Sequence, residues 1–74
     1  MNATTLSIIK MLPQRPLLSP ADIAAAYGLA TTNSIIADIK TGKLAANMIG
    51  GKYIISRDAA RAYILSNEYK PDEA

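Results

Sequence analysis

The chain has 74 residues, of which 50% are hydrophobic and 19% charged, with a formal net charge of +2; this excludes a disordered chain and leaves room for one globular domain. It contains neither cysteine nor histidine, which excludes disulfides, thiolate metal sites and the commonest general base. A domain this small buries only about 60% of its unfolded surface, so its apolar residues are committed to the core. No enzymatic activity, cofactor, metal or small-molecule substrate is therefore expected.

The N-terminal stretch MNATTLSIIKMLPQRP has no basic segment ahead of its apolar run. Lys10 breaks that run and no small-residue cleavage site follows, so no signal peptide is expected. No stretch approaches the roughly 20 apolar residues of a membrane span. The expected location is the cytoplasm, without a membrane partner.

Thr4 or Thr5 can cap a first helix running to Leu12, with Leu6, Ile9 and Leu12 on its apolar stripe. Pro13 and Pro16 end it, because proline lacks the N–H and restricts the residue before it. Leu17 and Leu18 lead to Ser19-Pro20-Ala21-Asp22, in which Ser19 caps a second helix, Pro20 takes its first position and Asp22 completes a short capping box. That helix, ADIAAAY, stops at Gly28 and is slim enough for close approach. A turn through Gly28-Leu29-Ala30 leads to a third helix, capped by Thr31 or Thr32 and ending near Thr41-Gly42. At about 100° per residue, Ile35, Ile36 and Ile39 share one face and Asn33, Ser34, Ala37, Lys40 and Thr41 the opposite one, with Asp38 at its edge.

After Gly42 the period changes. The runs Leu44–Ile49 and Lys52–Ile55 flank Gly50-Gly51, whose tolerance of positive φ predicts a tight hairpin. Ser56-Arg57-Asp58 opens a fourth helix with the stripe Ala59, Ala62, Tyr63 and Ser66, and with Arg57 and Arg61 facing outward. From Asn67 the chain is polar and contains Pro71, which predicts a tail over 67–74 after a single domain over 1–66. The order predicts a mainly α fold with a β-hairpin wing: a winged helix-turn-helix with a two-stranded wing and a C-terminal helix.

Charge is unevenly spread. Residues 67–74 carry one base and three acids, whereas residues 1–66 carry seven bases and three acids, a net of +4. Lys40, Lys43, Lys52 and Arg57 fall in a stretch without a single acid. On this architecture they stand where phosphates are met, at the end of the third helix, the mouth and tip of the hairpin and the start of the next helix.

The stretch from Leu18 to Ile64 resembles the excisionase family of small winged-helix DNA-binding proteins, relatives of the MerR-type DNA-binding domain. The carriers are Leu18-Ser19 with the alanine-rich helix, Gly28-Leu29 at the turn and Thr41-Gly42-Lys43-Leu44 ahead of the hairpin. Ile49-Gly50-Gly51-Lys52-Tyr53-Ile54-Ile55 makes the wing, and Ser56-Arg57-Asp58-Ala59 opens the next helix. The resemblance implies binding of duplex DNA, with the third helix in the major groove and the wing over a neighbouring minor groove or backbone. It implies a recombination directionality factor beside an integrase, with cooperative self-association on repeated sites. Proteins of similar shape serve as small phage-type repressors or as DNA-recognition subunits of phage packaging machinery. A winged-helix module that binds only protein, as an inhibitor or adaptor, is the alternative from another class.

The phosphate-binding candidates are Lys40, Lys43, Lys52 and Arg57. The base-reading candidates are Asn33, Ser34, Ala37 and Thr41, by adenine-edge pairing for Asn33, thymine-methyl contact for Ala37 and hydroxyl contacts for the other two. Their local alternatives are capping for Asn33 and Ser34 and the helix dipole for Lys40 and Lys43. Family members commonly carry arginine or an aromatic on the outer face of the third helix, where this chain is plain. Asp38 would sit near the phosphates there and repel them unless it finds a donor. Gly50-Gly51-Lys52 is not a phosphate loop, since Ala46 stands where its first glycine belongs and Tyr53 replaces the Ser or Thr that binds magnesium. Tyr27, Tyr53 and Tyr63 are read as packing residues.

Overall fold

A computed structural model describes residues 1–28 and 31–69. In chain order the elements are α1 (Ala3–Met11), β1 (Leu17–Leu18), α2 (Pro20–Tyr27), α3 (Thr32–Lys40), β2 (Asn47–Ile49), β3 (Lys52–Ser56) and α4 (Arg57–Ser66). Among the described residues they build a small domain of four helices and a three-stranded antiparallel sheet.

Helix α1 begins earlier than the threonines suggest. Asn2 caps it, its Oδ1 accepting from the Thr5 N–H at 2.8 Å. Thr5 is thereby left inside the helix and is only 3% exposed. The buried sector runs Ile8, Leu12, Thr5, Ile9, an arc of about 100° on the helical wheel. Leu6 lies about 60° beyond Ile9 and is 43% exposed, so the stripe expected through Leu6 is corrected. Leu12 takes an extended ψ of 140° ahead of Pro13 and stops the helix.

Helix α2 follows its local signals. Ser19 Oγ accepts from the Asp22 N–H at 3.2 Å, and Asp22 Oδ2 accepts from the Ser19 N–H at 2.9 Å, closing the capping box around Pro20. Gly28 ends the helix at φ 78°, its N–H donating to the Ala24 carbonyl at 3.1 Å. Thr31 caps α3, accepting from the Ser34 N–H at 3.2 Å.

The sheet has one strand more than the hairpin predicts. Leu17 and Leu18 form β1, which pairs antiparallel with β3 in the register Leu17 to Ser56 and Leu18 to Ile55. β2 pairs with the other edge of β3, Asn47 to Ile54, Met48 to Tyr53 and Ile49 to Lys52, giving the order β1-β3-β2. Two residues after a proline carry no alternation to read, and the partner strand lies far along the chain. Gly50 and Gly51 close the hairpin at φ 58° and 77°.

Ser56 caps α4, accepting from the Ala59 N–H at 3.0 Å. Its buried residues are Ala60, Tyr63 and Ile64, while Ala62 and Ser66 are exposed, so the expected stripe is corrected by rotation of the helix. Burial of the Ile64 side chain contributes far more than that of Ala62, and the helix turns accordingly. The core lies where all layers meet: Ile23 of α2, Ile35 of α3, Leu44 before β2, Ile55 of β3 and Ile64 of α4 are the largest fully buried side chains. Of the expected tail, Asn67 and Glu68 bond back to the body, the Asn67 amide to the Tyr27 hydroxyl at 3.3 Å and Glu68 to the Asn2 N–H at 2.6 Å. Residues 70–74 of that tail lie outside the described residues. Among the described residues no helix is long and apolar enough to cross a membrane.

Candidate nucleic-acid interface

Helix α3 exposes the residues its wheel puts outward. Asn33, Ser34, Ala37, Lys40 and Thr41 are all exposed and share an arc of about 120°. The opposite arc packs inward through Ile35, 1% exposed, with Ile36 and Ile39 half-buried beside it. Ser34 has a local duty as well, since its hydroxyl lies 3.1 Å from that of Thr31 in the cap. Thr41 Oγ1 donates to the Asp38 carbonyl at 3.2 Å, which closes the last turn.

The cations divide into two kinds. Lys40, Lys43 and Lys52 are exposed and have no carboxylate partner among the described residues, where the single ion pair joins Arg15 to Asp22 at 2.7 Å. Lys40 ends α3. Lys43 follows in the loop, its N–H donating to the Asp38 carbonyl at 2.9 Å. Lys52 starts β3 beside the glycine turn. Arg57 differs: it is half-buried, its Nε donates to the Pro13 carbonyl at 3.3 Å and its N–H to the Pro16 carbonyl at 2.9 Å. The expectation that Arg57 simply faces outward is corrected. It stands where β3 turns into α4, against the loop leading to β1, and braces that junction.

β1, the start of α2, α3 and the hairpin line one groove of about 680 Å³, with Thr32 and Ile36 from α3, Gly51, Lys52 and Tyr53 from the hairpin and Arg15 ahead of β1. Lys52 shares this groove with Thr32 and Ile36 of α3, whereas Lys40 ends that helix and Lys43 follows just beyond it. The structure thus puts Lys40 and Lys43 at one end of α3 and Lys52 on the hairpin, across the groove that both elements line. Leu17 and Ile49, which also line this groove, are 57% and 62% exposed, and Met48 beside Ile49 is 58% exposed.

Two charged groups follow partners that sequence spacing does not reveal. Arg15 pairs with Asp22, whose carboxyl is held below its usual range first by the Ser19 N–H it accepts from, with partial burial opposing and Arg15 helping. Asp38 accepts from the hydroxyl of Tyr63, a residue 5% exposed on α4. Burial, then this bond, pushes the Tyr63 hydroxyl up to about 12. Edge-on contact with the Tyr27 ring, at 6.3 Å and 79°, completes the packing of Tyr63. Apolar periodicity places Tyr63 inside the domain, but nothing local points to the carboxylate it meets. Among the described residues no three possible metal ligands come together.

Comparison of the chain with protein-family models, with curated proteins and with solved structures gave no match in any of the three.

Proposed function

We infer that this chain is a winged helix-turn-helix protein that binds double-stranded DNA, of the excisionase type. In this reading α2 and α3 form the helix-turn-helix, α3 enters the major groove and the β2–β3 hairpin is the wing over an adjacent groove or backbone. The observation that carries it is the exposed polar arc of α3 together with three exposed lysines that have no carboxylate partner among the described residues, Lys40 and Lys43 at the C-terminal end of α3 and Lys52 on the hairpin. Three such ammonium groups anchor phosphates and give a sequence-independent affinity that weakens with salt. Asn33 and Ser34 supply limited base reading, and specificity comes mainly from DNA shape and from cooperative assembly on repeated sites beside an integrase.

The test is fluorescence anisotropy on a random-sequence duplex at low and at physiological salt, with Lys43→Glu and Lys52→Glu alongside. Binding that weakens with salt and with each charge reversal is the expected result. Wild-type protein that leaves the duplex free even at low salt overturns the reading. The exposed Leu17, Met48 and Ile49 favour a second one, a protein-binding module, and that result would put it first.

A further inference from the structure

Asp38 is the only acid of α3, and it borders the exposed arc, about 40° beyond Ser34 on the wheel. A free carboxylate there would face the same phosphates as Lys40 and Lys43. Its oxygen instead accepts from the Tyr63 hydroxyl. The carbonyl of the same residue accepts from the N–H groups of Lys43 at 2.9 Å and Leu44 at 3.3 Å and from Thr41 Oγ1 at 3.2 Å. Leu44, 2% exposed, plugs the loop into the core. One residue thus joins the end of α3, the loop bearing Lys43 and the buried face of α4. Tyr63 cannot swing away, being buried and held edge-on by Tyr27, whose own hydroxyl accepts from the Asn67 amide.

We propose that Tyr63 is a positioning residue for the DNA-binding face: its hydroxyl draws the one carboxylate of α3 back toward α4, so that the face meets phosphates through lysines alone. The raised titration of Tyr63 accords with this, because the neutral hydroxyl is the form that donates to Asp38. The proposal rests on the DNA-binding reading above. It makes α4, which need not touch DNA, a determinant of affinity.

The test compares wild type, Tyr63→Phe, Asp38→Asn and the double variant by duplex anisotropy over a salt series, with thermal melts of each. Tyr63→Phe keeps the ring and its packing but frees the carboxylate. Binding at low salt should weaken about threefold to tenfold, by the repulsion of one nearby like charge. Asp38→Asn should bind at least as tightly as wild type, and adding it to Tyr63→Phe should restore affinity. A purely structural role for Tyr63 would show no such rescue, its binding loss following the melting temperature instead. Wild-type binding with Tyr63→Phe unchanged, or with no rescue in the double variant, overturns this proposal and leaves DNA binding standing. Absence of wild-type binding at low salt overturns both.

Discussion

Gly51 shows at the scale of one residue how a local requirement is met. Its φ of 77° is strained for any L side chain, while a Cβ added there would meet nothing within 4 Å. The cost of Gly51→Ala is therefore wholly one of backbone, about 1 kcal/mol, and a urea titration should show it as a lowered midpoint with an unchanged slope. Ile55 is the opposite case, fully buried in the middle strand where α2, α4 and β1 converge. Ile55→Ala should cost about 3 kcal/mol by lost transfer energy and a residual cavity, again read from urea unfolding. The glycine pair is legible in the sequence because its constraint lies within two residues. The second duty of Arg57 is not, since the carbonyls it grips belong to Pro13 and Pro16.

The helices separate what capping decides from what packing decides. The start of α2 was readable because Ser19, Pro20 and Asp22 satisfy its first backbone donors among themselves. Asp22 titrates below its ordinary 3.8, so the stability it lends is full above about pH 5 and is lost as the pH falls through its lowered value. Asp22→Ala should therefore unfold more easily at neutral pH, and the gap to wild type should close on acidification toward pH 2, as followed by circular dichroism. In α1 and α4 the ends were nearly right but the rotation was not. A few alanines and polar residues leave several stripes equally plausible, and the neighbouring elements choose among them. Leu6→Gln and Ala62→Ser, both on exposed positions, should change stability by less than about 0.5 kcal/mol, whereas Ile64→Ala should cost about 3 kcal/mol. Thermal melts of the three variants check the corrected faces directly.

Across the whole molecule, β1 is the strand that ties the two halves of the chain together. It pairs with β3, while Arg57 anchors the same loop from the start of α4. The Asp38–Tyr63 bond makes a second tie, between α3 and α4. Because Tyr63 titrates at about 12 against an ordinary 10.0, its contribution is full below pH 10 and is lost as the pH climbs through 12. Tyr63→Phe should lack that alkaline component of unfolding. On the proposed DNA face, Lys52→Ala should weaken duplex binding uniformly across sequences and lower the salt slope by about 1, one phosphate contact fewer. Lys10→Ala, on α1, should leave that slope unchanged, and an equal effect of both would dissolve the face into general charge.

Sequence alone determined the capping box of α2, the proline and glycine stops, the two-residue hairpin and the exposed polar arc of α3. Each of these is decided within a few residues, by donors left open at a helix end or by a φ that only glycine adopts freely. Tertiary structure alone decided the phase of α1 and α4, the third strand, the brace made by Arg57 and the withdrawal of Asp38. Those depend on groups that lie far apart in the chain and meet only in the fold. A leucine pair becomes a strand only when β3 lies beside it, and a carboxylate at the edge of a helix turns inward only when a buried hydroxyl stands there to meet it.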